Sequence, residues 1–181
     1  MLYDNLSVLS YLEKEGGKIV HLYGDPDTGR TSVMFSMIDY LISKGQMCSY
    51  LVPLSGGLQA ERFRHYVKDI SMCPLVIVKD RKDLVNSLRY LTDATENIFL
   101  DCFLSYILYR TKRQNGSLMS LLSGYAFGSS VNFILCNDTR HVPGESKTSP
   151  AYMEIFRRYS SKNILVHKDE QLNIYYDFKE W

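Results

Sequence analysis

The chain has 181 residues, 45% of them hydrophobic, and its 21 basic and 20 acidic side chains leave a formal net charge of +1. This composition excludes a disordered tail, a collagen-like fibre and a highly charged nucleic-acid-binding arm. One domain of this length buries a full core, so we expect residues 1–181 to form a single domain, with residues 1–17 as a lead-in segment.

Short apolar runs rich in β-branched and aromatic residues alternate with segments of helical period from Lys18 onward. The predicted strands cover residues 19–23, 48–52, 75–78, 97–101 and 132–136. The predicted helices cover about residues 33–42, 58–70, 80–91 and 117–127, with Asp80 capping the third and Gly128 ending the fourth. Continuous apolar strands joined by helices predict an α/β fold, with a mostly parallel sheet covered on both faces.

The C-terminal part of the chain differs in pattern. Residues 139–150 are polar and contain two prolines, which predicts a loop. Residues 163–166 and 172–176 predict an antiparallel hairpin at the edge of the sheet. His21 lies within the first predicted strand, so we expect a core or edge residue and not a metal ligand.

The sequence shows neither an export signal nor a membrane span. Residues 1–5 have no basic region before an apolar stretch, and no run of about 18 apolar residues occurs. The four cysteines lie far apart in apolar surroundings, at Cys48, Cys73, Cys102 and Cys136. We therefore expect reduced thiols without zinc or disulfides, in a nuclear or cytosolic protein.

A phosphate-loop pattern follows the first predicted strand. The pattern G-x-x-x-x-G-K-[ST] is matched at every fixed place but one by Gly24, Asp25, Pro26, Asp27, Thr28, Gly29, Arg30 and Thr31. Successive backbone amides and the start of the next helix would face phosphate, and the Thr31 hydroxyl would face magnesium. Asp101 ends a strand about 70 residues later and is suited to hold a magnesium-bound water. An ordinary turn before a capped helix is the alternative interpretation.

These motifs, in this order, resemble the RecA-like P-loop NTPase core of the RecA/RadA/RadB recombinase family, including the eukaryotic recombinase paralogues. Residues 16–24 resemble its lead-in to the phosphate loop, residues 98–101 its magnesium strand, and residues 133–138 its nucleotide-sensing strand, with Asn137 and Asp138 at the sensing positions. The likeness covers residues 16–176 without the N-terminal domain of full recombinases, as in the short RadB and paralogue type. It implies ATP and magnesium as cofactors.

Four places depart from the family's catalytic pattern. Asp25 and Asp27 put two carboxylates into the loop, and Arg30 replaces the usual lysine with a bulkier, planar cation. Two unit charges about 4 Å apart repel by roughly 4 kcal/mol at a dielectric near 20, above the roughly 0.3–1 kcal/mol that a helix end contributes. The family's general base should fall near residues 54–56, but no acid lies there and the nearest one is Glu61. In the sensor-like strand, Asp138 stands where the family has an amide. We expect poor or absent hydrolysis, and weak nucleotide binding unless both loop carboxylates point to solvent.

Two basic clusters fall where the resemblance places DNA-facing loops. The first comprises Arg110, Lys112 and Arg113, and the second Arg140, His141 and Lys147. Cations at these places would release counterions from DNA phosphates, although ordinary solvated loops are the alternative. The net charge of +1 predicts weak binding of single-stranded DNA by the chain alone.

Partner contacts are predicted from two further features. Residues 175–181 form an aromatic tail that ends in the single tryptophan, a side chain favoured at interfaces, although burial against the domain itself is the alternative. Arg157 and Arg158 resemble the family's late arginine region and would face a neighbour's nucleotide; plain surface solubility is the alternative.

Three functions are compatible with this pattern. The first is a recombinase-paralogue accessory protein that acts in homologous recombination through a RecA-like subunit or a recombinase and single-stranded DNA, with little ATP turnover. The second is an active DNA-dependent ATPase in which Arg30 replaces the lysine and Glu61 or a partner supplies the base. The third is a RecA-like assembly scaffold of the kind found in Elongator subunits.

Overall fold

The computed structural model describes residues 17–107, 112–140, 149–150, 153–168 and 174–179. The strands are β1 Ile19–Gly24, β2 Cys48–Pro53, β3 Leu75–Val78, β4 Asn97–Leu100, β5 Asn132–Arg140, β6 Ser149–Pro150, β7 Lys162–Lys168 and β8 Ile174–Lys179. The helices are α1 Arg30–Ser43, α2 Gly57–Tyr66, α3 Arg81–Ala94, α4 Leu104–Ile107, α5 Lys112–Ser129 and α6 Met153–Tyr159. The predicted α/β class is confirmed.

Six strands form an all-parallel sheet in the order β3-β2-β4-β5-β1-β7. Strand β8 pairs antiparallel with β7, and β6 pairs antiparallel with the end of β5. Strand β5 lies between β1 and β4, with Gly24 opposite Asp138. The carboxyl ends of these three strands therefore meet at one edge of the sheet, where ligands of parallel sheets bind.

Helices cover both faces of the sheet, and each strand sends alternate side chains to either face. On one face Tyr50 and Val52 of β2 pack with Phe35 of α1 and Phe63 of α2. On the other face the intervening Leu51 belongs to a second cluster, with α3, α5 and α6. Full burial of one large apolar side chain stabilises the fold by about 1.5–3 kcal/mol, so the two layers hold the sheet edge rigid.

His21 lies fully buried in β1 and links this strand to its two neighbours, β5 and β7. Its ring stacks on Phe156 at 3.7 Å between centroids, Nδ1 donates to Asn163 Oδ1 at 3.1 Å, and Nε2 accepts from Asn137 Nδ2 at 3.0 Å. Burial lowers the pKa of His21 to about 3, and the hydrogen bond to Asn163 opposes only part of this shift. His21 is therefore a neutral core residue, as its position in the sequence predicts.

Several predicted boundaries were wrong. Helix α2 ends at Tyr66 and not near residue 70, because Val67 is extended. Helix α5 begins at Lys112 and runs through Gly128, because Ser130, with φ 55°, takes the left-handed position expected of that glycine. Strand β5 continues to Arg140 and pairs with β6, so residues 139–140 and 149–150 are not loop. Asp80 caps α3 as predicted and accepts from Asp83 N at 2.9 Å.

The C-terminal pairing also begins later than predicted. Strand β8 starts at Ile174, two residues beyond the expected start, and the residues between β7 and β8 lie outside the described part of the chain.

Among the described residues, no helix combines the length and the apolar character needed to span a bilayer.

Candidate functional site

The loop between β1 and α1 has the backbone that its glycines predict. Gly29 adopts φ 91° just before α1, and no side chain caps that helix. A Cβ on Gly29 would lie 2.6 Å from Ile174 Cδ1, and one on Gly24 would lie 2.2 Å from the Val166 carbonyl oxygen. Gly24 is therefore required by close contact with the backbone of β7, and Gly29 by its positive φ, with Ile174 of β8 packed over it.

On one side of this loop, here called the metal side, Thr31, Tyr50 and Asp101 meet. The Asp101 side chain is 1% exposed and accepts from the Thr31 hydroxyl at 3.1 Å and the Tyr50 hydroxyl at 2.7 Å. Its other oxygen accepts from Cys102 N at 2.8 Å. Burial, with the nearby Asp101 charge, raises the pKa of Tyr50, which keeps that hydroxyl a donor.

The metal side fits magnesium. A hydroxyl and a carboxylate are the oxygen ligands that Mg²⁺ prefers, and the ion commonly keeps several waters and phosphate oxygens as its other ligands. Within the described ranges, no group of three or more His, Cys, Asp or Glu side chains is arranged to hold a metal. Thr31 and Asp101 would therefore bind magnesium together with a phosphate ligand and not as a closed protein site.

On the other side, here called the phosphate side, the loop's cation is paired with an acid. The Arg30 side chain is 12% exposed and donates to Asp138, at the end of the sensor-like strand β5. Burial lowers the pKa of Arg30, but the combined influence of Cys136, Asp138 and Asp101 raises it above its ordinary value. The guanidinium is therefore charged, and Asp138 offsets that charge.

The two loop carboxylates have different surroundings. Asp25 accepts a hydrogen bond from the Thr139 hydroxyl, which directs its carboxylate toward the end of β5. Asp27 is exposed and adopts φ 63°, a left-handed conformation that aspartate tolerates better than most residues. Of the two acids, Asp27 is the one beside the space that a phosphate would enter.

A cavity of about 310 Å³ opens beside the loop, near the lower end of the range for small-molecule sites. It is lined by Pro26, Asp27, Gly29, Arg30, Thr31, Ser32, Gln59, Arg62 and Lys168. The sequence pattern did not single out the last four of these residues. Gln59 and Arg62 are three residues apart on α2 and share a helix face, which was the available signal for them.

The predicted general base does not lie in this cavity. Glu61 belongs to α2 but is exposed, and it is not among the lining residues. Its neighbour Arg62 faces the cavity, and adjacent positions on a helix point about 100° apart. Leu54, at the place where the family's base is expected, is 63% exposed.

The predicted DNA-contacting residues fall at three kinds of place. Lys112 and Arg113 belong to the first turn of α5 and not to a loop, and Arg113 is exposed. Arg140 is the last residue of β5. Three of the predicted DNA-contacting residues lie outside the described residues, namely Arg110, His141 and Lys147.

The predicted partner contacts are described only in part. Arg157 and Arg158 are exposed on α6, whereas Trp181 of the aromatic tail lies outside the described residues.

No known family model matches this chain, and no curated protein sequence matches it. The function is therefore argued from the geometry of the site.

Proposed function

We propose that the chain is a RecA-like accessory protein of homologous recombination and DNA repair, of the recombinase-paralogue type, that hydrolyses little or no ATP. It would act through a RecA-like paralogue or a recombinase and through single-stranded DNA. The pairing of Arg30 with Asp138 carries this proposal, because the loop's cation is held by an acid where catalysis would need it for phosphate.

The strand order supports the RecA-like part of the proposal. Strand β5, which resembles the family's sensor strand, lies between the phosphate-loop strand β1 and the magnesium-type strand β4. The three resembling motifs thereby converge at one sheet edge, although they are about 40–110 residues apart in the chain. A chance match to the loop pattern alone would not bring Thr31 within 3.1 Å of Asp101.

The small number of acids among the described lining residues of the cavity supports the proposal of little turnover. A general base must lie within hydrogen-bond reach of the attacking water, directly or through one more water. Of the described residues that line the cavity, only Asp27 is acidic, and it belongs to the loop itself. The described lining residues would therefore supply no general base for ATP hydrolysis apart from that loop acid.

Exposed aromatic side chains support a protein partner. Tyr90 on α3 is 78% exposed and Phe127 on α5 is 91% exposed, each within the last two turns of its helix. Large aromatics are favoured anchors at interfaces because they bury a large area at low entropic cost. A Tyr90→Ser, Phe127→Ser double variant should lose the partners that the wild-type chain captures from its native source, with unchanged thermal stability.

ATP turnover tests the proposal most directly. Purified chain should release no phosphate above background from ATP and magnesium, with or without single-stranded DNA and captured partners. Robust turnover that Arg30→Ala abolishes would refute the proposal, because the cation would then be serving the reaction and not Asp138.

Binding of single-stranded DNA gives a second test. Fluorescence anisotropy should detect weak binding that falls steeply with salt, because counterion release drives phosphate contacts. Arg113→Ala should lower the affinity and the salt slope, whereas Lys44→Ala, exposed at the far end of α1, should change neither. Equal effects of the two substitutions would exclude a DNA contact at α5.

The geometry of the metal side favours one second candidate, an active DNA-dependent ATPase. Thr31 and Asp101 already lie 3.1 Å apart, as magnesium binding in such an enzyme would require. In that case a partner would supply the base, and Thr31→Ala would abolish both magnesium-dependent ATP binding and turnover. The accessory protein and the ATPase therefore differ in the turnover measured with the full set of captured partners.

A further inference from the structure

The cavity beside the loop contains cations that come from outside the loop. Arg62 projects from α2, and Lys168 ends β7. Together with Arg30 they give the cavity three cationic side chains, against Asp27 as the acid among its described lining residues. Because Arg30 is paired with Asp138, the other two cationic side chains among the described lining residues come from α2 and β7.

Arg62 is held at the start of α1. Its Nη2 donates to the Ser32 hydroxyl at 2.9 Å, and Ser32 belongs to the first turn of that helix. The guanidinium has five N–H donors, so this one contact leaves most of its donor capacity for a ligand. Arg62 thus adds a fixed positive charge beside the unpaired amides of a helix N-terminus.

Lys168 reaches the cavity from the end of β7. Its Cε is 3.7 Å from the position that a Cβ on Gly29 would occupy, and its side chain is exposed at the rim of the cavity. Ile174 of β8 contacts the same glycine, so the end of β7 is fixed over the loop by packing. The two cations therefore approach the cavity from two different elements, α2 and β7.

We propose that Arg62 and Lys168 together bind the phosphates of a polyphosphate ligand in this cavity, in place of the loop residue Arg30. The ligand class is a nucleoside di- or triphosphate or a linear polyphosphate, since all present the same row of anionic oxygens. The inference rests on the proposed function for its nucleotide ligand, but it depends neither on DNA nor on a partner. It reassigns phosphate recognition from the loop's own cation to α2 and β7.

Calorimetric titration of the full chain tests the inference, with a slowly hydrolysed ATP analogue plus magnesium as one probe and tripolyphosphate as the other. Arg62→Gln and Lys168→Gln should each weaken binding about tenfold, and the double variant about a hundredfold. Arg64→Gln is the matched control, since it removes an exposed arginine of the same helix that does not line the cavity. Binding of the nucleotide analogue but not of tripolyphosphate would identify the nucleoside as a required part of the ligand.

Two outcomes overturn the inference. One is wild-type affinity in both Arg62→Gln and Lys168→Gln, whatever the affinity of Arg30→Gln. The other is failure of the wild-type chain to bind either probe. Lys168 is exposed, so its substitution tests the inference even where Arg62→Gln disturbs the fold.

The failure of the inference is distinguishable from failure of the proposed function. Wild-type chain that binds single-stranded DNA and partners but neither probe would overturn the inference and leave the proposed function standing. If the chain binds tripolyphosphate through Arg62 and Lys168 but contacts neither DNA nor a recombinase, the inference stands and the proposed function is overturned.

Discussion

The metal side and the phosphate side of the loop each contain a carboxylate at the end of a central strand, but the two are used in opposite ways. Asp101 is 1% exposed and accepts from two hydroxyls and a backbone amide, all neutral donors that leave its charge intact. The Asp138 side chain is 61% exposed and is paired with the cation Arg30. On the metal side, Asp101 is thus bonded by neutral donors and can still attract a cationic ligand. On the phosphate side, the charge of Asp138 is offset by its ion pair with Arg30.

The largest expected effect is on stability. Asp101→Ala should lower the free energy of unfolding by about 2–3 kcal/mol, because it leaves the buried Tyr50 hydroxyl without an acceptor. Asp138→Ala should lower it by less, because the Asp138 carboxylate is largely exposed and solvent screens its pairing with the mostly buried Arg30. Urea denaturation of the two variants measures the difference.

Tyr50→Phe provides the control for this prediction. This substitution removes the Tyr50 hydroxyl, so no buried donor is left without an acceptor. We therefore expect the free energy of unfolding to fall by only about 1 kcal/mol. Equal destabilisation by Asp101→Ala and Asp138→Ala would mean that the two carboxylates have the same structural role, and the comparison would fail.

The second prediction concerns His21, which is hydrogen-bonded to Asn137 of β5 and to Asn163 of β7. Its pKa is about 3 in the folded chain and near 6.5 in the unfolded chain, so between these values the unfolded chain binds the extra proton. Stability should therefore be complete above about pH 6.5 and fall as the pH drops toward 3. Between pH 7 and pH 5 the loss should be about 2 kcal/mol.

His21→Phe isolates this contribution. The phenyl ring keeps the stacking on Phe156 and does not titrate, so the variant starts from lower stability but should lose about 2 kcal/mol less than wild type between pH 7 and pH 5. Parallel stability curves for the two proteins over this range would show that His21 is not the group that titrates.

The parts of this fold that sequence predicted are those with local physical signals. Apolar runs identified the five strands β1 to β5, and the Asp80 cap identified the start of α3, because periodicity and capping depend on nearby residues. The end of α5 was predicted wrongly because Gly128 carries a strong local signal that the structure does not use, and Ser130 takes the left-handed conformation instead.

The candidate site was predictable in its loop, in Asp101 and in Asp138, but not in the pairs that these residues form. The pairs Thr31–Asp101 and Arg30–Asp138 join residues far apart in the chain, so strand order decides them and not spacing. Arg62 and Lys168 belong to a helix and a strand end whose sequences contain no motif, and they enter the cavity only because α2 and β7 pack beside the loop.

The third prediction concerns the glycine between the two sides. Gly29→Ala should cost about 1 kcal/mol more than Gly45→Ala, although both glycines have similar positive φ angles of 91° and 78° and so incur similar backbone strain. A Cβ at Gly29 would overlap Ile174 Cδ1, whereas one at Gly45 would contact nothing within 4 Å. Thermal unfolding measures the difference, and Ile174→Ala should remove it if the overlap is its cause.

The smallest expected effect concerns Asp27, the acid at the rim of the phosphate side. Asp27→Asn keeps a side chain that tolerates φ 63° and removes only the charge, so phosphate binding should strengthen without a change in loop conformation. Two unit charges about 7 Å apart in water interact by roughly 0.6 kcal/mol, which corresponds to about a threefold gain in affinity for tripolyphosphate. Asp93→Asn, exposed on α3, changes the net charge equally and should have no effect. Equal gains from both substitutions would show that the phosphate side responds to overall charge, whereas a gain from Asp27→Asn alone would place the ligand's phosphates beside this residue.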